Sequence, residues 1–69
     1  MRISARNVLE GTIKEVRKGA TTAHIVIELR SGDVMTSSVA NEAVDALGLA
    51  EGIKVFAVIK ASDVMVALQ

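Results

Sequence analysis

A chain of 69 residues without a single cysteine must find its stability somewhere other than in cross-links. Domains this short bury a small share of their surface, and they usually rely on disulfides, a structural metal or copies of themselves. Disulfides and thiolate-held metals are excluded at once, and the lone His24 cannot build a zinc site. Association remains. The composition points the same way: 51% of the residues are hydrophobic, yet the chain has one Phe, no Trp and no Tyr. Its apolar content is small aliphatic side chains and Met, more of them than one thin domain can easily cover. The expectation is a single domain over residues 1–69 that assembles with itself.

Charge narrows the partners. Eight basic and eight acidic side chains give a formal net charge of zero. A nucleic-acid-binding domain normally carries a basic excess, so no such partner is expected. No apolar run approaches the roughly 18–20 residues of a membrane span, and nothing resembles a signal peptide. No membrane partner and a cytoplasmic location are the corresponding expectations.

Hydropathy patterning predicts mostly strands. Over residues 8–17, Leu9, Gly11 and Ile13 share one face, with Glu10, Thr12 and Lys14 opposite. The phase then slips, because Val16 rather than Glu15 is apolar, and a bulge near Glu15 is the simplest repair. After the turn at Arg17, Lys18 and Gly19, residues 22–29 alternate again, with Ala23, Ile25, Ile27 and Leu29 on one side. Ser31, Gly32 and Asp33 signal a hairpin into a third strand over residues 34–39. Asn41 looks like a helix N-cap, Glu42 suits the first turn, and Gly48 stands where a left-handed stop is wanted. The short helix gives way to a fourth strand over residues 54–60 and a fifth over residues 64–68. The predicted fold is all-β: a small five-stranded OB-like Greek-key barrel with one short helix between strands three and four.

The chain offers little for catalysis. There is no Cys, His24 has no partner in view, and no acid pair or Ser/His arrangement stands out. Each of Gly19, Gly32, Gly48 and Gly52 is explained by a turn, and none belongs to a phosphate-binding loop. Met35 and Met65 read as core or subunit-contact filler. The donors are different. Ser4, Arg6 and Asn7 precede strand one, while Lys60, Ala61 and Ser62 follow strand four. Exposed backbone N–H groups at strand ends, a hydroxyl and one cation suit a compact tetrahedral oxyanion, whose oxygens only accept. Pattern alone also fits a frayed terminus and a solvated strand end, which are common.

At these residues the sequence resembles the molbindin (Mop) family of small molybdate- and tungstate-binding proteins with a TOBE/Mop domain. The similar features are I-S-A-R-N at the start with L-E-G soon after, and K-G-x-x-x-A-x-I around residues 18–25. T-S-S-V at residues 36–39, L-G-L-x-E-G at residues 47–52 and V-I-K-A-S-D-V-M at residues 58–65 complete them. The likeness runs over essentially the whole chain, and the opening motif paired with the closing one is its specific part.

The resemblance implies a non-enzymatic, cytoplasmic homohexamer, a trimer of dimers, that binds molybdate or tungstate between subunits for molybdenum storage and homeostasis. No organic cofactor and no direct cation site are implied. Carried over residue by residue, the main oxyanion site would use Ser4, Ala5, Arg6, Asn7, Lys60 and Ala61. Some relatives add hydroxyl residues at the helix start, where this chain has Ala40 and Ala43 and could offer only backbone amides. A second class of site, near threefold axes, falls around Ala20 and Ser38. The competing reading is a single-stranded nucleic-acid-binding OB domain, which the zero net charge and the lone Phe56 disfavour. A subunit that senses molybdate for a separate partner protein is a third.

Overall fold

The computed structural model describes residues 1–69 and contains four strands, one α-helix and one 3-10 turn. The strands are β1 (Asn7–Lys18), β2 (Thr22–Leu29), β3 (Val34–Ala40) and β4 (Lys54–Ile59). The helix α1 (Asn41–Leu47) joins β3 to β4, and the 3-10 turn spans Ala61–Asp63. All pairings are antiparallel, in the order β3-β2-β1-β4. Three hairpin-connected strands, with a fourth returning to lie beside the first, make a Greek key.

The bulge falls where the hydropathy phase slips. Ile13 pairs with Ile27 and Glu15 with Val26, so Lys14 is the extra residue. Its insertion lets Gly11, Ile13 and Val16 face inward from one strand, and it bends β1 so that the sheet curls. Gly11 permits a close approach of β2. A Cβ there would lie 2.7 Å from Ile27 Cγ2 and 2.8 Å from the Glu28 carbonyl oxygen. The concave side holds the core: Ile13, Ala23, Ile25, Ile27, Ala57 and, from the helix, Val44. Only seven of 69 residues are buried, so one chain by itself leaves much of its apolar half in contact with water.

Arg17 and Lys18 belong to β1, paired with His24 and Ala23, because the strand runs on to the turn at Gly19. Two further expectations require correction. Asn41 is the first helical residue and caps nothing; the N-cap is Ala40, with no side-chain cap bond. The Asn41 side chain instead donates to the Gly19 carbonyl at 3.0 Å, and its backbone N–H donates to Thr21 O at 2.9 Å. The carboxamide therefore ties the helix start to the β1–β2 turn, a tertiary use that displaces the local one. Gly48 does adopt the left-handed conformation, φ 66° and ψ 36°, and ends the helix.

The fifth strand is absent, and with it the closed five-stranded barrel. Residues 64–68 leave the 3-10 turn unpaired and exposed. A short apolar run suits a strand, but a strand forms only against a row of backbone partners. Within this chain no element lies beside residues 64–68, and β3 and β4 remain the two open edges of the sheet. No helix is long and apolar enough to cross a membrane.

Candidate functional site

The two donor groups lie 52 residues apart in sequence and meet at one end of the β1–β4 pair. Asn7 is the first residue of β1 rather than its predecessor, and it stands opposite Ile59, the last residue of β4. The Asn7 carboxamide donates to the Ile59 carbonyl at 3.3 Å, clasping the start of one strand to the end of the other. Residues 4–6 therefore leave the sheet on one side of this clasp, and Lys60 and Ala61 on the other. Ser4, Arg6, Lys60 and Ala61 are exposed, while Ala5 and Asn7 are half-buried.

The cations at this end are uncommitted. The four ion pairs join Lys14 to Glu28, Arg17 to Glu15, Lys18 to Asp45 and Arg30 to Glu10; neither Arg6 nor Lys60 takes part. Outside the regular elements, no backbone hydrogen bond starts from the N–H of Ser4, Ala5, Arg6, Ala61 or Ser62. Asp63 N–H does close back onto Lys60 O at 2.9 Å, which forms the 3-10 turn and fixes the direction of the chain after β4. This turn leaves its first N–H groups open, as any helix start does. Such an end presents hydroxyl, guanidinium, ammonium and amide donors around one strand terminus. Chemically it can hold an acceptor-only anion and orient it by hydrogen bonds, with two positive charges to offset desolvation.

The sequence reading placed Ser62 near this group without making it part of the site. Ser62 is the middle residue of the 3-10 turn that follows Lys60, and the Ser-Asp pair at 62–63 is the local turn signal that the sequence offers for it. Asn7 changes role in the other direction. Its side chain joins the start of β1 to the end of β4 rather than standing free as a donor.

The second group is not gathered in the same way. Ala20 lies exposed in the turn between β1 and β2, and Ser38 lies exposed in mid-β3, opposite His24. Thr22–Ala40 is the ladder pair nearest to Ala20, and no hydrogen bond joins Ala20 to Ser38 directly. They sit toward the far end of the 12-residue β1 from Asn7. His24 is exposed, as a surface or interface histidine would be.

Residues 3–66 match the TOBE domain. Among curated proteins, the chain is 46% identical over 66 residues to molybdenum-pterin-binding protein 3 of Clostridium pasteurianum, covering 96% of this chain and 97% of that one. The chain belongs to the TOBE/Mop family. Solved Mop structures share its fold: MopII from Clostridium pasteurianum superposes with a TM-score of 0.92 at 40% identity, covering 97% of this chain and all of that one. The cytoplasmic molybdate-binding protein ModG, in a form with molybdate bound, gives a TM-score of 0.90 at 48% identity. That match covers 94% of this chain and 46% of ModG. Both donor groups lie inside the TOBE match. So do the bulge and Gly11, the features that curl the sheet and bring the strands close.

Proposed function

We propose that this chain binds molybdate, and tungstate equally, between subunits of a homohexamer arranged as a trimer of dimers. Its role is intracellular molybdenum storage and homeostasis, by binding rather than catalysis. The observation that carries the proposal is the Asn7–Ile59 clasp, which brings residues 4–6 and 60–61 to one strand end with their donors free. Similarity to ModG, which carries molybdate, supplies the chemical class.

In this reading Ser4 donates its hydroxyl, Arg6 and Lys60 their charged N–H groups, and Ala5 and Ala61 backbone N–H groups alone. Asn7 holds the two strands in register and has one amide hydrogen left to donate. A dianion must shed water to enter, and charge-assisted hydrogen bonds are what compensate it. One exposed strand end covers only one side of a tetrahedral ion, so a second subunit completes the enclosure. Phosphate is disfavoured because its protonated form brings an O–H that finds no acceptor. Ala20 and Ser38 form the weaker part of the proposal, a second site generated only where several subunits meet. Zero net charge supports the absence of a nucleic-acid partner.

The test is isothermal titration with molybdate, read together with native mass measurement of the loaded assembly. Saturable binding with a fixed number of anions per oligomer is expected. An assembly that takes up no anion would overturn the function.

A further inference from the structure

The charges of this molecule are sorted unevenly. Its four ion pairs, each with a partner on β1, use Lys14, Arg17, Lys18 and Arg30 against Glu28, Glu15, Asp45 and Glu10. The cations left over are Arg2, Arg6, Lys54 and Lys60. Arg6 and Lys60 flank the Asn7–Ile59 pair, whereas Lys54 begins β4 at its other end. The carboxylates left over are Asp33, Glu42, Glu51 and Asp63. Asp33 accepts the Ser31 hydroxyl at 2.8 Å, Glu42 lies in the first turn of α1, and Glu51 lies in the turn before β4. Asp63 alone follows the donor end of the β1–β4 pair directly.

The backbone fixes Asp63 there. It is the last residue of the 3-10 turn, and its N–H donates to the Lys60 carbonyl at 2.9 Å. Residues three apart in a 3-10 turn eclipse one another, separated by about 6 Å along the axis, so Lys60 and Asp63 stand on one side of it. Even so, they form no ion pair, no side chain caps the turn, and Asp63 is exposed. Its charge is thus not cancelled by a direct partner. A carboxylate has no hydrogen to donate, so toward an oxyanion it only repels. With it, the strand end carries one net positive charge where Arg6 and Lys60 alone would give two.

We propose that Asp63 limits the affinity of the oxyanion site, opposing a bound dianion so that the ion can be released. This inference rests on the reading of the strand end as that site, and it adds a residue that binding itself does not need. The repulsion scales with the charge of the ligand and is weakened by salt. A dianion about one 3-10 turn from the carboxylate, in a solvated setting, loses about three- to tenfold in affinity.

The test uses the full-length chain as it assembles, with Asp63→Asn and Asp63→Glu beside the unaltered protein. Asn removes the charge at constant size, and the bond that closes the turn is a backbone one that either variant keeps. Each protein is titrated with tungstate and, by competition, with perrhenate, a tetrahedral ion of nearly the same size and half the charge. Asp63→Asn is expected to bind tungstate about three- to tenfold more tightly. Perrhenate should gain only about the square root of that factor, because half the charge halves the repulsion. Asp63→Glu should match the unaltered protein, and added salt should shrink the gain for tungstate. A structural role for Asp63 would change both ions alike. Equal gains for the two ions, no gain, or weaker binding by Asp63→Asn would overturn the proposal. Saturable tungstate binding that is the same in all three proteins removes the role of Asp63 alone. An unaltered protein that takes up no tungstate removes the site, and this inference with it.

Discussion

Lys60 and Gly11 show how differently single residues matter in this molecule. Lys60 is exposed, joins no ion pair and follows the last residue of β4. Lys60→Ala should therefore leave the fold intact and lower molybdate affinity by about 1.5–3 kcal/mol, the worth of a hydrogen bond to a charged group. Titration should show this as a weakening of roughly ten- to 150-fold. Equal curves for the two proteins would reduce Lys60 to a solvated strand end. Gly11→Ala should do the reverse. Its new Cβ would press on the Glu28 backbone oxygen at 2.8 Å, and a backbone atom in mid-sheet cannot easily give way. A loss of about 1–3 kcal/mol is expected, as for other overpacked sites. It should appear as a lower denaturant midpoint at fixed protein concentration. An unshifted midpoint would mean that β1 and β2 are not held so closely.

At the scale of elements, the helix is anchored by its first residue rather than capped by it. Asn41→Ala removes the 3.0 Å bond to Gly19 O and should cost about 0.5–1.5 kcal/mol. Asn41→Asp should cost more, because a carboxylate would face that carbonyl with no hydrogen to offer. If Asp proved as good as Asn, the residue would be acting as an ordinary N-cap after all. Strands β1 to β4 were legible because one face of each meets the core, and alternation records that directly. Even the bulge was visible, in the shift from Ile13 to Val16. Residues 64–68 are a continuous apolar run of strand length, yet pair with nothing in their own chain. A period of two tells which face is apolar but never who the neighbour is. Asn41 was misread for a similar reason: its Gly19 partner is 22 residues away, whereas capping rules see only the next turn.

The whole molecule explains why the chemistry was only partly legible. Nothing in the residue pattern joins Ser4 and Arg6 to Lys60; the antiparallel β1–β4 ladder does, through Asn7 and Ile59. Family resemblance named the two motifs, and the fold brings them to one end of the β1–β4 pair, as the proposed site requires. The proposed association accounts for the burial: thirteen large hydrophobic residues are exposed in the single chain, more apolar surface than a monomer ordinarily leaves in water. Sedimentation at micromolar concentration should therefore find a hexamer, and a folded monomer there would remove both the assembly and the shared site. The central claim is that an enclosed set of donors, rather than loose surface charge, holds the anion, and competition at one assembly tests it most directly. Tungstate should displace molybdate nearly one for one, because the two ions are almost the same size. Sulfate has the same charge but shorter bonds and cannot reach every donor at once, and each unmatched donor costs about 1–3 kcal/mol. It should bind at least about a hundredfold more weakly, with binding of molybdate only modestly reduced by added salt. Displacement of molybdate by an equal concentration of sulfate would contradict the donor cage of Ser4, Arg6, Asn7 and Lys60.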